Sequence, residues 1–422
     1  MNVRAVADLD PAERRRLFER DAGVDAVRDD VADIVERVRT EGDAALRDLA
    51  RDLDDVEIGT VEVTDRAERA ADEVDDEVYD AIETAAENVR AFHERQVPDD
   101  WRADFDGREL GRRFRPIERV GVYAPGGTAA YPSSALMGVV PAKVAGVEHV
   151  AVATPPAEEL NPATLAALHV AGADAVYQVG GAQAIAALAY GTESVGAVEK
   201  VVGPGNRWVT AAKAQVRGTV DIDFLAGPSE ILVVADETAD PAFVAADLVA
   251  QAEHDPNASV VAVTDDEATA EAIAAEVDRQ AEGREREAIV REALANDASG
   301  VFLARSTSES VLFAEAYAAE HLSIQAADDE AILDRIPSAG SAFLGPYSPV
   351  AAGDYAAGPN HVLPTGGGAR VVGGLSVDTF LRSTTVQRLD RAALEDLADT
   401  ITTLAEAEGL EAHAESVRRR QR

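Results

Sequence analysis

The chain has 422 residues, a formal net charge of −39 and no cysteine, and 46% of its residues are hydrophobic. A charge this negative disfavours binding to nucleic acid or to an anionic membrane, and the lack of cysteine excludes disulfides, thiolate metal sites and a cysteine nucleophile. The hydrophobic content and its regular periodicity argue against disorder. We expect a folded, multidomain protein whose acidic surface suits concentrated salt, where charge repulsion reaches only about 3 Å at 1 M.

Residues 1–118 are predicted to form an N-terminal helical region. Asp10 before Pro11 is typical of a helix cap and first turn. Apolar residues recur at helical spacing further on; they are Val31, Ile34, Val35 and Val38, and then Val78, Ile82, Ala85, Val89 and Phe92. We assign this region no chemistry and expect it to pack on the second α/β domain. The chain shows no apolar leader and no apolar run of bilayer length, so we expect a cytoplasmic protein.

From residue 119 short apolar runs alternate with helical segments, which predicts βαβ units and parallel sheets. The predicted strands are 120–123, 149–154, 175–179, 200–202, 230–235, 259–264 and 342–344. The predicted helices are 133–145, a segment around 165–170, one from 182, 208–216 and 241–252. The fold class is therefore α/β, with two parallel-sheet Rossmann-like domains at 119–229 and 230–375. After Val371 we expect helix again, with 376–422 as a C-terminal extension that breaks at Glu408-Gly409.

Four separated segments carry side chains that bind metals or transfer protons, and they contain four of the seven histidines. Histidine is the commonest metal ligand and titrates near neutral pH. Each segment alone is a weak signal, since the residues near helix ends and loops are often ordinary caps and turns. Together they predict an enzyme with a divalent metal. The segments are Gln251-Ala-Glu-His254, Glu320-His321, Asp354 to His361, and Glu408 to His413.

Three glycine-containing segments each follow a predicted strand and precede a predicted helix. They are Tyr123-Ala-Pro-Gly-Gly127, Val179-Gly-Gly-Ala-Gln183 and Gly203-Pro-Gly-Asn206. Such turns allow backbone N–H groups to meet an anion, for example the pyrophosphate of a dinucleotide. None matches the G-x-G-x-x-G fingerprint, and for each segment separately a tight structural turn explains the glycines as well as cofactor binding does.

Taken together, these segments resemble the histidinol dehydrogenase family. The similarity extends from about Val120 to His413 and includes long blocks in one order, at 179–195, 226–230, 251–254, 320–322 and 354–365. The resemblance implies an enzyme that oxidises L-histidinol to L-histidine with two NAD⁺ at one Zn²⁺ per subunit. It also implies a homodimer in which the C-terminal segment completes the partner's active site.

The resemblance further implies roles for individual residues. It makes Glu320 and His321 the catalytic pair, and the zinc ligands would be Gln251, His254, Asp354 and His413. The residues that would contact NAD⁺ are Tyr123, Gln183 and Asn206. Those that would contact histidinol are Ser229, His361 and Glu408, with His321 and the four metal ligands.

The chemistry of the residues agrees with this assignment. Without cysteine, an aldehyde intermediate must be oxidised as its hydrate, which requires a base such as Glu320 to activate water and a group such as His321 to remove hydroxyl protons. Two other functions are also compatible with these residues. One is a zinc hydrolase in which Glu320 activates water and the glycine loops are structural. The other is a non-catalytic imidazole- or metal-binding protein, which would have no need for an acid–base pair.

Overall fold

A computed structural model describes residues 1–20, 23–126 and 131–421 of the chain. Contacts divide the chain into two compact units. Unit 1 consists of Met1–Gln96 and Glu118–Phe380, and unit 2 of Val97–Ile117 and Leu381–Arg422. Within the described residues no helix combines the length and the apolar character needed to cross a bilayer.

The described strands are β1 (Val3–Ala5), β2 (Trp101–Asp104), β3 (Arg108–Pro116), β4 (Arg119–Tyr123), β5 (His149–Thr154), β6 (Ala175–Gln178), β7 (Lys200–Val202), β8 (Asp221–Ile222), β9 (Glu230–Ala235), β10 (Ser259–Thr264), β11 (Gly300–Leu303), β12 (His321–Gln325), β13 (Ser341–Leu344) and β14 (Leu381–Leu389). The described α-helices are α1 (Pro11–Phe18), α2 (Arg28–Glu41), α3 (Asp43–Asp54), α4 (Thr64–Arg69), α5 (Asp76–Glu94), α6 (Pro132–Ala145), α7 (Pro162–Ala171), α8 (Gly181–Tyr190), α9 (Arg207–Val216), α10 (Pro241–Ala252), α11 (Glu267–Ala281), α12 (Glu287–Ala295), α13 (Thr307–Tyr317), α14 (Asp329–Leu333), α15 (Val350–Tyr355), α16 (Arg391–Ala407) and α17 (Glu411–Arg420).

Unit 1 contains two parallel sheets, which confirms the predicted α/β class. The first sheet has the strand order β6-β5-β4-β7-β8, and the second has the order β1-β11-β10-β9-β12-β13. Every described pairing between neighbouring strands in both sheets is parallel. Parallel strands need crossover connections, and most of the intervening segments supply a helix.

Strand β9 shows why a buried strand of the second sheet is a continuous run of apolar residues. Ile231 and Val233 belong to the core on one face of the second sheet, whereas Leu232 and Val234 belong to the core on the other. A strand covered on both faces has no position for a polar residue, so the period of two is hidden. Burial of such side chains contributes about 1.5–3 kcal/mol each. The exception is Glu230, the first residue of β9, which is 1% exposed.

The N-terminal region packs on both sheets, not only on the second as expected. Val6, Leu9 and Leu17 join a core of the second sheet. The apolar faces of α2 and α3 instead join the core of the first sheet, together with residues such as Ala151 and Leu188. β1 also adds a strand to the edge of the second sheet, which the prediction of helices did not include. Apolar periodicity identifies a buried face but does not reveal which layer covers it.

Several helices of unit 1 begin where sequence signals place them. Asp10 forms a capping box with Glu13, and Pro11 occupies the first turn of α1. Asp240 caps α10, whose first residue is Pro241. These caps satisfy backbone N–H groups that have no partner within the helix. The predictions of a cap at Asp10 and of a helix at 241–252 are therefore confirmed.

Unit 2 contains an antiparallel sheet with the order β14-β3-β2. This corrects two predictions, because 108–116 was assigned to a helical region and 381–389 to a helical extension. In β14 no residue is fully buried, so the strand lacks the alternation of apolar and polar residues that marks a half-buried strand. The predicted helix break is confirmed: α16 ends at Ala407, and Gly409 has a φ of +74° before α17 begins.

Candidate active site

The three residues expected to contact NAD⁺ lie at the carboxyl edge of the first sheet. Tyr123 ends β4, Gln183 lies in the first turn of α8 after β6, and Asn206 is the N-cap of α9 after β7. Open α/β sheets bind ligands at this edge. Gly203 has a φ of +113°, and a Cβ there would stand 2.2 Å from the Tyr123 carbonyl oxygen, so only glycine allows this close approach. Gly127 of the first glycine segment lies outside the described residues.

These three side chains are already engaged in local structure to different degrees. The Tyr123 hydroxyl accepts a hydrogen bond from the Gly181 backbone N–H at 3.1 Å, and burial raises the pKa of Tyr123 to about 12. Its hydroxyl is therefore neutral and able to donate. Asn206 Oδ1 accepts from the backbone N–H groups of Trp208 and Val209, so this oxygen caps α9. Gln183 is only 3% exposed.

The expected catalytic pair lies in the second sheet, at the edge where the amino ends of the strands meet. His321 is the first residue of β12 and Glu320 precedes it, and both are buried. β12 pairs with β9, whose first residue is Glu230. The Glu230 backbone N–H donates to Glu320 Oε2 at 2.7 Å, and its carbonyl oxygen lies 2.9 Å from His321 Nδ1. A carbonyl can only accept, so His321 carries a proton on Nδ1.

Helices that return across the second sheet bring further polar residues to its amino edge. In a βαβ unit the helix runs antiparallel to the strands, so its carboxyl end lies near the amino ends of the strands. Gln251 lies in the last turn of α10 and is 2% exposed, and His254 follows in the exposed turn beyond it. Asp354 lies near the end of α15, and its Oδ1 atom is 3.5 Å from His321 Nε2.

The charges at this edge act on one another. Burial would lower the pKa of His321, but the neighbouring carboxylates of Glu320 and Asp354 raise it well above its ordinary value. Burial would raise the pKa of Asp354, yet the imidazoles of His321, His361 and His254 lower it. The effect of His254 on Asp354 places these two expected metal ligands in one electrostatic environment.

His361 adds a second ordered imidazole. Its Nδ1 atom lies 2.8 Å from the Asp354 carbonyl oxygen, and its Nε2 atom lies 3.1 Å from the Ser134 hydroxyl oxygen. The carbonyl requires a proton on Nδ1, so Nε2 of a neutral ring accepts from the hydroxyl. Burial lowers the pKa of His361, which favours this neutral ring.

The donors at the amino edge are compatible with a zinc ion, although they form no complete site in unit 1. Across residues 1–20, 23–126 and 131–421, no group of three or more histidine, aspartate or glutamate side chains is arranged to hold a metal. Of the four expected ligands, only His254 and Asp354 are of these types and lie in unit 1. The carboxamide of Gln251, in the last turn of α10, is buried at this edge, with 2% of the residue exposed. Nitrogen and oxygen donors without thiolate suit an open, catalytic Zn²⁺ site.

Of the remaining expected residues, Ser229 lies at the same amino edge, and Glu408 and His413 belong to unit 2. Ser229 directly precedes β9, and its carbonyl oxygen accepts from the Ser259 N–H at 2.9 Å. Glu408 follows the last residue of α16, and His413 lies in α17, so both belong to unit 2.

Sequence reasoning missed three residues that shape this site. They are Arg20, Ser134 and Glu230. Glu230 belongs to the block at 226–230 on which the family resemblance rests, and an acidic residue that opens an otherwise apolar strand is a signal of a buried carboxylate. Arg20 and Ser134 offer no such signal, because their partners are 210 and 227 residues away.

Comparisons with known proteins show the family of the chain. A family model described as histidinol dehydrogenase matches residues 18–421. The histidinol dehydrogenase of Haloarcula marismortui is 77% identical over 420 residues, which covers 100% of both chains. That of Natronomonas pharaonis is 75% identical with the same coverage. Such relatives support the expected adaptation to concentrated salt.

A solved structure shows the same fold. The crystal structure of histidinol dehydrogenase from Elizabethkingia anophelis superposes with a TM-score of 0.93 at 37% identity, and the match covers 100% of this chain and 98% of that one.

Proposed function

Because this chain belongs to the histidinol dehydrogenase family, it is an NAD-dependent oxidoreductase that acts on a CH–OH group, and we propose that it oxidises L-histidinol to L-histidine with two NAD⁺. The first oxidation produces L-histidinal, and the second oxidises the hydrate of that aldehyde. Each oxidation transfers one hydride to NAD⁺. The first releases one proton, and the second, which consumes the water added on hydration, releases two because the carboxylic acid ionises. The observation that carries this proposal is the buried pair Glu320 and His321, which the backbone of Glu230 holds in place.

His321 would remove the hydroxyl proton before each hydride departs. Its Nδ1 atom donates a hydrogen bond to the Glu230 carbonyl oxygen, so Nε2 is the atom that can exchange a proton with substrate. Nε2 is buried and has no hydrogen-bond partner within the described residues. A buried imidazole nitrogen without a partner is costly to maintain, and a substrate hydroxyl would satisfy it.

Glu320 would activate water for hydration of the aldehyde. Its Oε2 atom accepts from the Glu230 N–H at 2.7 Å, which orients the carboxylate at the same edge as His321. Glu320 Oε2 also lies 3.5 Å from His321 Nδ1. The chain has no cysteine that could form a thiohemiacetal, so hydration is the route that its residues support.

The metal would be held by Gln251, His254, Asp354 and His413. Zn²⁺ bound there would supply a positive centre that positions histidinol through its nitrogen atoms and offsets the charge of Asp354. Glu320 and Asp354 both raise the pKa of His321, and a bound cation would oppose the part of this effect that comes from Asp354. Ser229, His361 and Glu408 would contact histidinol.

Tyr123, Gln183 and Asn206 would contact NAD⁺ at the carboxyl edge of the first sheet. The protein would act as a cytoplasmic homodimer in which Glu408 and His413 of each chain complete the active site of its partner.

Turnover of L-histidinol with NAD⁺ tests this function directly. We expect two NADH for each histidine formed, and no free histidinal, because the aldehyde must stay bound for hydration. NADH absorbance and amino-acid analysis on the same samples give the ratio. Release of product without NADH would indicate a zinc hydrolase, and binding of histidinol without turnover would indicate a non-catalytic protein.

A further inference from the structure

The peptide of Glu230 is the common support of both expected catalytic residues. Its N–H holds the Glu320 carboxylate at 2.7 Å and its carbonyl holds His321 Nδ1 at 2.9 Å. Glu230 is the first residue of β9, where the strand emerges from the loop that contains Ser229. Any displacement of this peptide would therefore move the carboxylate and the imidazole together.

The side chain of Glu230 is fixed by three donors. Arg20 Nε lies 2.6 Å from Oε1, Arg20 Nη2 lies 2.8 Å from Oε2, and the Gly366 N–H donates to Oε1 at 2.7 Å. The side chains of both Glu230 and Arg20 are almost fully buried, with 2% and 6% of their surface exposed. A two-pronged arginine–carboxylate pair sets orientation as well as distance.

Arg20 is itself held from several directions. Beyond the two bonds to Glu230, Nη1 donates to the Leu17 carbonyl at 3.0 Å and Nη2 to the Tyr317 carbonyl at 3.0 Å. The guanidinium carbon lies 3.7 Å from the centre of the Tyr317 ring, a cation–π geometry. Tyr317 ends α13, three residues before Glu320. The arginine thus links the segment that follows α1 to β9 and to the end of α13.

A buried ion pair is a poor device for stability, because desolvation of the two charges can exceed their attraction, and an apolar replacement is often equally stable. A pair of this kind is more easily explained by the geometry that it imposes. We propose that Arg20 and Glu230 are positioning residues, and that their ion pair fixes the Glu230 peptide so that Glu320 and His321 stand in their productive orientation. This inference rests on the proposed function, since it assigns the pair to that same reaction.

The primary test is the steady-state kinetics of Arg20→Met in the full-length protein at high salt. Because a misplacement of about 1 Å can cost about 100-fold in rate, we expect kcat to fall about 100-fold while KM for L-histidinol and NAD⁺ changes less than about threefold. Arg20→Lys keeps the charge but not the two-pronged geometry, and we expect an intermediate loss in kcat of about 10-fold. Arg15→Met is the matched control, since Arg15 is exposed on α1, which ends two residues before Arg20, and its kcat should stay unchanged.

A second variant separates positioning from folding. Arg20→Met leaves the Glu230 carboxylate buried without its cation, which lowers stability, whereas Arg20→Met/Glu230→Gln removes that charge as well. We expect the double variant to recover thermal stability but not kcat. A double variant that melts like wild type and turns over within about threefold of it would overturn the proposal, because the pair would then be merely structural.

The wild-type assay distinguishes this proposal from the function on which it depends. An active wild type with unaffected Arg20 variants would remove only the positioning role. An inactive wild type would count against both, since no catalytic orientation would be left to maintain. A fall in kcat for Arg20→Lys with unchanged KM and unchanged melting temperature would support the positioning role without any contribution from misfolding.

Discussion

The Nε2 atom of His321 lies 3.5 Å from Oδ1 of Asp354, at the point where the start of β12 meets the end of α15. Nδ1 of the same ring is engaged by a backbone carbonyl, so the two ring nitrogens have different environments. Nε2, the nitrogen that faces Asp354, is the one whose protonation a substrate hydroxyl or a nearby metal ion would change.

His321→Asn should impair both oxidations. The asparagine amide can reproduce donation to the Glu230 carbonyl but offers no base in place of Nε2. Loss of a general base typically costs about 10²–10⁴-fold in rate, so we expect kcat to fall within that range for histidinol and for histidinal as substrate. Stopped-flow measurement of NADH with each substrate tests this. His169→Asn, at an exposed position of α7, is the control and should leave both rates unchanged. An unaffected rate with either substrate would refute the role in both steps.

Glu320→Gln should separate the two oxidations. The amide can still accept from the Glu230 N–H through its oxygen, but it cannot activate water. We expect the first NADH to form and the second to be blocked, so that histidinal accumulates on the enzyme. A single-turnover experiment that counts NADH per active site measures this. Glu330→Gln, at an exposed position of α14, should retain two NADH. If the first hydride transfer were blocked as severely as the second, Glu320 would have another role.

Removal of metal should abolish turnover but leave the protein folded. None of the expected ligands belongs to the apolar cores formed by the described residues of unit 1, so chelation should leave helix content largely unchanged. Added Zn²⁺ should restore activity, and Co²⁺ or Mn²⁺ should restore part of it, because imidazole and carboxylate donors accept several first-row ions. Circular dichroism and activity on the same chelated sample test this. Global unfolding in chelator would show that the metal is structural.

Mixed dimers should recover activity from two inactive variants. If His413 completes the partner's site, a dimer of one His413→Ala chain and one His254→Ala chain has one site with both lesions and one with neither. We expect roughly half of wild-type activity for each mixed dimer. Differently tagged chains, purified as heterodimers, make the measurement quantitative. An inactive heterodimer would rule out a shared site.

When the protein is diluted from molar salt, the dimer should weaken, and the protein should lose zinc and activity together. Unit 2 contains 13 acidic and 12 basic residues, a net charge of −1, so −38 of the chain's −39 lies in unit 1. Repulsion of this size between two chains is unscreened at low ionic strength. Light scattering, metal analysis and activity across a salt series test this. Full activity of an intact dimer at about 0.05 M salt would remove the halophilic interpretation.

Asp247→Asn should stabilise the protein more at alkaline than at acidic pH. Burial raises the pKa of Asp247 from 3.8 to about 6, and its side chain accepts a bond from Gln325. When the pKa of a carboxyl group is higher in the folded protein than in the unfolded chain, its protonated form favours folding. This contribution is complete at a pH below the pKa of the unfolded chain and is lost as the pH rises through the pKa of the folded protein. Ionised Asp247 therefore costs stability above about pH 6, by at most about 3 kcal/mol at 1.36 kcal/mol per pKa unit.

Urea unfolding at about pH 4.5 and about pH 8 would measure this difference. Asp240→Asn on the same helix is the control, because Asp240 is exposed and asparagine caps a helix equally well. An equal effect of Asp247→Asn at both pH values would contradict the prediction.

The sequence by itself determined most of the α/β layers of unit 1. The predicted strands 230–235 and 259–264 and the helix 241–252 coincide with β9, β10 and α10. Strands covered on both faces are continuous apolar runs, and the intervening helices begin at cap residues, so these signals are local and need no tertiary partner. The sequence did not predict β14, because this strand has no apolar pattern of its own. Pairing with β3, a distant segment of the chain, stabilises it instead.

The candidate residues were likewise identified from local blocks of sequence, but only the tertiary structure decided how they are arranged. It places Glu320 and His321 at the amino edge of the second sheet, whereas the general rule for α/β proteins would favour the carboxyl edge. It also brings Arg20 to Glu230 across 210 residues. Such contacts depend on the order of strands and on the layer that covers each face. A local pattern of charge or hydrophobicity contains neither, because both arise only when distant segments pack together.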